Sequence, residues 1–206
     1  MHDMQAEAGT PLTPSRPRRT LVVLGLAALW IVLDQLTKVW AERALTLGEP
    51  VQVVGDLLRL HLIYNSGAAF SLGTGSTGVL TVVASIIVVL IVWQAFKVRS
   101  LPWAVALGLL LGGALGNLVD RFFRAPGVGV GHVVDFLRLP NFPIFNVADI
   151  GVTTAACLIA LLALRGFHPD GTRDSDKAEA YPTREEQDAA TPHTSPTQGD
   201  PTEGTR

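Results

Sequence analysis

Four long apolar stretches limit what this chain can fold into more than any other feature. About 20 apolar residues span a ~30 Å hydrocarbon core, and the stretches at about 21–40, 79–96, 101–119 and 145–164 of this 206-residue chain reach that length. Asp34 and Lys38 interrupt the first and Asp149 the fourth, while the second lies in a charge-free run, 62–96, whose first half is rich in Gly, Ser and Asn. Only 17% of the residues are charged, against about 25% in soluble domains, which excludes an ordinary cytosolic domain. The expected fold is an all-α membrane protein, a four-transmembrane-helix bundle forming one domain over 21–165. Residues 21–33, preceded by Arg16, Arg18 and Arg19, have the outline of a signal peptide. No small-x-small cleavage site follows them, and Asp34-Gln35-Leu36-Thr37-Lys38 is foreign to such a segment, so they read as an uncleaved span.

Basic residues give the orientation. Arg16, Arg18 and Arg19 precede span one, Lys97 and Arg99 sit between spans two and three, and Arg165 follows span four. All fall on one side, expected to be the cytoplasm, with Arg43, Arg59, Arg121, Arg124 and Arg138 on the other. Residues 1–20 and 166–206 are rich in Pro, Thr, Asp, Glu and Gly and are expected as disordered cytoplasmic tails. The second holds nine acids against four bases, making it an acidic tail. A net charge of −2 with no basic cluster beyond Arg16, Arg18 and Arg19 argues against nucleic acid as a partner. The single cysteine, Cys157, excludes a disulfide framework, and His61 and His132 stand apart from any second ligand, so neither metal nor cofactor is expected.

Between spans one and two, residues 51–54, the pair Gly55-Asp56, and residues 57–64 read as strand, turn and strand, with Leu58, Leu60 and Leu62 alternating against Arg59 and His61. A small extracytoplasmic β-sheet at the membrane surface is expected there. The intramembrane polar groups then converge in depth. At ~1.5 Å per helical residue, Asp34 lies roughly 20 Å, Asp149 roughly 22 Å and Asn117 roughly 24 Å from the cytoplasmic edge. Charged groups at such depths are functional candidates by default. Asp34 and Lys38 share a helix face, as do Asn117, Asp120 and Arg121, and Asn146 with Asp149. Simpler roles stand beside each. Asp34 with Lys38 reads equally as a structural ion pair, the Asn117 group as an interhelical hydrogen-bond network, and Asp135 as a loop carboxylate paired with Arg138. Gly108, Gly112 and Gly116 form a packing stripe.

Asp135, just outside span four, and Asp149, one turn inside it, are joined through the proline-bracketed Leu139-Pro140-Asn141-Phe142-Pro143. Two carboxylates that cannot both ionise share a proton and supply an acid and a base together. Such a dyad activates water without a metal or a covalent intermediate, and no nucleophile-elbow, zinc-protease or P-loop motif competes with it.

In order along the chain stand Asp34-Gln35-x-x-Lys38, Asn65-Ser66-Gly67-Ala68-Ala69-Phe70, Gly112-Gly113-Ala114-Leu115-Gly116-Asn117-Leu118-Val119-Asp120-Arg121, Val133-Val134-Asp135-Phe136 and Phe145-Asn146-Val147-Ala148-Asp149. These blocks, spread over roughly 20–165, resemble those of lipoprotein signal peptidase, or signal peptidase II. The resemblance implies an aspartyl endopeptidase of the bacterial cytoplasmic (inner) membrane. Its substrates would be diacylglyceryl-modified prolipoproteins, cut before the lipidated cysteine, and globomycin-type cyclic peptides would inhibit it. It also implies that Asp135 and Asp149 are catalytic, that Asn65, Asn117, Arg121 and Asn146 support the dyad or bind substrate, and that Asp34, Lys38 and Asp120 are structural. The site is expected near the outer face, in contact with membrane lipid, with Asn65, Asn146 or Arg121 hydrogen-bonding the carboxylates or the substrate backbone.

The glycine-rich loop 125–131 is longer than the family pattern suggests. It reads either as a lid or as a segment that displaces Asp135 in the resting state. A proton-coupled transporter and a non-enzymatic assembly subunit are rival readings of intramembrane charge. The first lacks an internal repeat and a polar path, and the second leaves Asp135 and Asp149 without a purpose.

Overall fold

The computed structural model describes residues 16–67 and 77–175. Four helices cross from one end of the molecule to the other: α1 (Arg16–Ala44), α2 (Thr77–Ala95), α3 (Leu101–Phe123) and α4 (Val147–Leu164). Each is long and apolar enough to span a membrane. Residues 1–15 and 176–206 of the expected tails, and Ala68, Ala69 and Phe70 of the second motif, lie outside the described residues.

Two of the expected spans are longer in the structure. The first begins at Arg16 and runs to Ala44, so residues 16–20, assigned above to a tail, are helical. The third continues past 119 to Phe123, because Asp120 and Arg121 lie on its inward side with protein partners. The chain also stays folded after α4. Pro169 O accepts from the backbone N–H groups of Arg99 and Ser100, and Phe167 O accepts from Trp103 Nε1 at 2.9 Å. The segment up to residue 175 therefore covers the turn between α2 and α3.

At the opposite end stands a three-stranded antiparallel sheet, β1 (Val51–Val54), β2 (Leu58–Asn65) and β3 (Val133–Arg138), in the order β1-β2-β3. The first two strands match the expected hairpin. The third does not come from the same loop: it arrives from between α3 and α4 and makes Asp135 a strand residue rather than a loop residue. Ile63 pairs with Asp135 and Asn65 with Val133, so β2 and β3 carry their polar residues to the ends of α3 and α4. Beneath the sheet, Ala41, Leu62, Val134 and Phe136 form one apolar cluster, and Val23, Ala27, Ile91, Ala95, Leu107 and Leu111 belong to another near the far end.

α3 is the most buried helix and packs against the other three, most extensively α1 and α4. Its glycines explain the closeness. A Cβ at Gly108 would lie 3.1 Å from Val23 O, one at Gly112 3.0 Å from Ala27 O, and one at Gly116 2.7 Å from Asp34 Oδ2, all on α1. Gly113 faces the other way, where a Cβ would run into Ala148 O of α4. Small residues allow such backbone approach in lipid, where burial of apolar surface does not drive association between helices. The outward faces of α1, α2 and α4 instead expose Leu29, Val32, Leu36, Val82, Ile86, Val89 and Leu161.

Gly112→Leu is expected to separate α1 from α3. Overpacking of this kind costs about 2–3 kcal/mol, or roughly 5–10 °C in Tm for a chain of this size. Gly25→Leu, where nothing lies within 4 Å of the added Cβ, should be nearly neutral. Thermal unfolding in one detergent compares them, and equal Tm values would refute the packing role.

Candidate active site

The polar residues predicted to share one depth meet in one network between the two apolar clusters. Lys38, fully buried, lies 2.8 Å from Asp34 Oδ2 and 2.7 Å from Asp120 Oδ2, and donates to Asn117 Oδ1 at 3.1 Å. Each of the two acids also holds a strand or helix by its backbone. Asp34 Oδ1 accepts from Ala148 N at 2.8 Å, an amide of the first turn of α4 that has no partner within the helix. Asp120 Oδ2 accepts from Val134 N at 3.2 Å, the residue before Asp135. Asp120 Oδ1 accepts from Arg124 Nε at 2.7 Å, and Arg124 Nη1 reaches Glu42 Oε1 at 2.5 Å. The ion network thereby fixes both segments that carry Asp135 and Asp149.

α4 begins with a reciprocal cap: Asn146 Oδ1 accepts from Asp149 N at 3.0 Å, and Asn146 N donates to Asp149 Oδ2 at 3.2 Å. The remaining donors of Asn146 turn to the other carboxylate. Its Nδ2 lies 2.7 Å from Asp135 Oδ1 and 3.0 Å from Asn117 Oδ1. Asn117 Nδ2 donates to Asp149 Oδ1 at 2.9 Å, and Asn65 Nδ2 to Asp135 Oδ2 at 2.8 Å. Every oxygen of Asp135 and Asp149 thus accepts from an amide. The amides cannot flip, because their own oxygens are already engaged: Asn65 Oδ1 by Gly67 N at 2.8 Å, Asn117 Oδ1 by Lys38, and Asn146 Oδ1 by Asp149 N.

Asp135 is 2% exposed. Burial pushes its carboxyl up to about 6 against the Asn65 hydrogen bond that opposes the shift, and the nearby Asp149 charge adds to it. Both aspartates line one cavity of about 270 Å³ with Asn65, Gly67, Asn117 and Arg121, and with Leu80, Thr81 and Ala84 of α2 forming the facing wall. Among the described residues no group of three His, Cys, Asp or Glu side chains is arranged to hold a metal ion.

A family model described as Signal peptidase (SPase) II matches residues 26–165. A lipoprotein signal peptidase of Mycobacterium tuberculosis is 49% identical over 171 residues, covering 82% of this chain and 85% of that protein. The chain belongs to the signal peptidase II family. A lipoprotein signal peptidase of Rhodococcus jostii is 47% identical over 172 residues, covering 84% of this chain and 87% of that protein. Two solved structures, both described as bacterial membrane enzymes obtained by the in meso method, are also similar. They share TM-scores of 0.62 and 0.63 and identities of 31% and 28%, covering 69% and 78% of this chain and 92% of each relative. The protein is a multi-pass membrane peptidase of the aspartic type.

In this chain Asp34, Lys38, Asn65, Asn117, Asp120, Asp135, Asn146 and Asp149 are all joined in the network. Arg121 lines the same cavity and is held there through backbone carbonyls rather than by a carboxylate. It donates to backbone, to Gly131 O at 3.1 Å and Asn65 O at 3.5 Å. Asp135 does not pair with Arg138, which meets His61 Nδ1 instead at 3.0 Å. Loop 125–131 returns to α3 through Gly131 N to Arg121 O, and Asp135 sits beside Asn65 and Asn146 rather than displaced.

Four further residues contribute to which the sequence reading assigned no place in the site. Gln35 Nε2 lies 3.1 Å from Asp34 Oδ2, 3.1 Å from Gly116 O and 3.3 Å from Asp120 Oδ1. Trp30 Nε1 donates to Val147 O at 3.0 Å, and Glu42 with Arg124 closes the ion network at its outer edge. The last pair was visible in principle, since Glu42 stands four residues after Lys38 and Arg124 four after Asp120, continuing the same two helix faces.

Proposed function

We propose that the protein is an endopeptidase that removes the signal peptide from diacylglyceryl-modified prolipoproteins by cleaving before the lipidated cysteine. Asp135 and Asp149 are its catalytic residues. The observation that carries this reading is the pair of carboxylates on one cavity, bridged by Asn146, with all four oxygens accepting from amides that cannot turn. Such a pair accepts a water between its free lone pairs. Asp135, whose proton is retained up to about pH 6, is the acid, and Asp149 is the base. Asp149 takes a proton as the water oxygen attacks the scissile carbonyl carbon, and Asp135 protonates the carbonyl oxygen, giving a gem-diol. Collapse of the diol breaks the C–N bond, the amine leaves with a proton from the dyad, and the dyad keeps one proton. Fixed donors act more strongly in a water-poor cavity, which suits Asn65, Asn117, Asn146 and Arg121 as supports of the dyad or of the substrate backbone.

α2 walls the cavity opposite α3, β3 and Asp149 of α4, and a substrate helix diffusing in the bilayer enters there. The termini are cytoplasmic, and the site lies near the outer face of a bacterial cytoplasmic membrane. Asp34, Lys38 and Asp120 are structural, membrane lipid bathes the outward faces, and globomycin-type cyclic peptides occupy the cavity as inhibitors.

A gel-shift assay on the purified full-length protein tests the reading, using one prolipoprotein with and without diacylglycerol on its cysteine. Cleavage of the lipidated form alone, unaffected by chelator and blocked by globomycin, is expected. Inactivity on lipidated substrate would overturn the proposal. Across pH, kcat/KM should fall as pH rises through about 6 and the Asp135 proton is lost, while kcat should fall at higher pH because bound substrate buries the carboxyl further. A kcat/KM profile flat from pH ~5 to ~8 would remove Asp135 from the acid role.

A further inference from the structure

Arg59 of β2 and Arg138 of β3 stand directly opposite one another in the sheet register. Like charges in that position are destabilising unless something compensates them. Asp56 pairs with Arg59, but its side chain is 79% exposed. Arg59 Nε is buried without an acceptor. Among the described residues no carboxylate reaches Arg138, whose Nη1 meets His61 Nδ1 at 3.0 Å. Among the described residues, Arg59 therefore has one exposed carboxylate and Arg138 has none. They line a cleft of about 470 Å³ whose other wall is the β3–α4 connection, with Leu139, Pro140 and Phe142. This connection is the segment that links Asp135 to Asn146 and Asp149.

The border of the cleft is apolar. Phe142, which lines it beside Leu139 and Pro140, is 58% exposed. Gln52 pairs with Arg59, whereas Val54 pairs with Leu58 on the other face of the sheet, so Leu139, Pro140 and Phe142 are the apolar side chains at the arginine pair. Forked, weakly hydrated cations beside uncovered apolar side chains suit a ligand that is anionic at one end and hydrocarbon at the other. In a multi-pass membrane protein, that chemistry is supplied by the bilayer on which this end of the bundle rests. We propose that the Arg59–Arg138 cleft is a binding site for the phosphate of an anionic phospholipid from the leaflet at the sheet end. The guanidinium groups hold the headgroup, Phe142 and Leu139 lie against its glycerol and upper acyl chain, and the lipid steadies the connection between the two aspartate-bearing segments.

The test is native mass spectrometry of the full-length protein released from nanodiscs of equal phosphatidylglycerol and phosphatidylcholine. Preferential retention of one phosphatidylglycerol is expected, weakened about ten-fold by Arg59→Gln or Arg138→Gln, as befits loss of one charge-assisted contact. Asp56→Asn should tighten retention, because it frees Arg59. Arg18→Gln with Arg19→Gln, at the far end, should leave it unchanged. Each variant is checked for an unaltered Tm and for unaltered substrate cleavage in neutral detergent. Equal retention of the two lipids, or loss only in the Arg18 and Arg19 variant, would overturn the site. Glycerol phosphate binding as tightly as the lipid would reassign it to a free phosphate. Displacement of the lipid by an acidic peptide would reassign it to a polypeptide. Because lipid retention is read without catalysis, the outcome stands apart from that of the peptidase proposal.

Discussion

Asp135→Asn should lower kcat/KM by roughly 10³-fold or more, the scale of a lost proton-transfer partner, and Asp149→Asn should do the same. Neither variant is expected to unfold. Asparagine keeps the volume, and at Asp135 it presents one oxygen and one amide to Asn65 and Asn146, of which only the oxygen can accept. The stability effect has a sign that depends on pH. The native Asp135 carboxyl holds its proton up to about 6, against 3.8 for the free side chain. Its contribution to stability is therefore complete below pH ~4 and is lost as pH rises through about 6, a difference of about 3 kcal/mol at most. Relative to wild type, Asp135→Asn should gain stability between pH ~4 and pH ~7 whatever its absolute Tm, because asparagine does not titrate. Activity assays and thermal unfolding at both pH values measure the pair of effects. A variant that retains near-normal cleavage refutes the dyad; one whose Tm difference from wild type is the same at both pH values refutes the burial-driven shift.

Lys38→Met should be the most damaging change outside the dyad. Lys38 and the side chains of Asp34 and Asp120 are fully inaccessible, and removing the cation leaves Asp34 buried without a counter-charge. Breaking a buried ion pair by deleting one partner costs about 3–5 kcal/mol, so Tm in detergent should drop by roughly 10 °C. Activity should fall with it, since Asp34 holds the first turn of α4 and Asp120 holds β3. The triple variant Lys38→Met, Asp34→Asn, Asp120→Asn removes the stranded charges and should recover part of the stability. Recovery of Tm without recovery of kcat would separate the two contributions, structural charge balance and placement of the aspartates. A Lys38→Met protein as stable and active as wild type would show that the network anchors neither segment.

Much of this architecture is legible along the chain. The four spans follow from hydropathy and length alone, because lipid leaves no alternative for a backbone whose amides must bond within their own segment. The β1–β2 hairpin follows from alternation around Gly55-Asp56, and the glycine stripe from its spacing of four. Even the meeting of Asp34, Asn117 and Asp149 was open to arithmetic, since helical rise converts residue count into depth. Asn65 and Asn146 as carboxylate donors were expected from motif resemblance, whereas the role of Arg121 in holding the backbone of Asn65 and Gly131 was not.

What the sequence alone determined is thus the set of elements whose formation depends on local pattern: helices, hairpin, the depth of each polar group and the ordered motifs that carry the family resemblance. What only the tertiary structure decided are the partnerships between elements far apart in the chain. β3 joins the sheet because β2 offers it an edge, and Asp135 becomes a buried strand residue for that reason. Arg138 turns to His61, Gln35 bridges Asp34 and Asp120, and Asn146 spans the two aspartates, each choice made by which donors and acceptors the packed bundle leaves within reach. Local pattern specifies what a residue can bond to, but the three-dimensional packing fixes which of the possible partners is there, and buried polar groups, having no water to turn to, must take it.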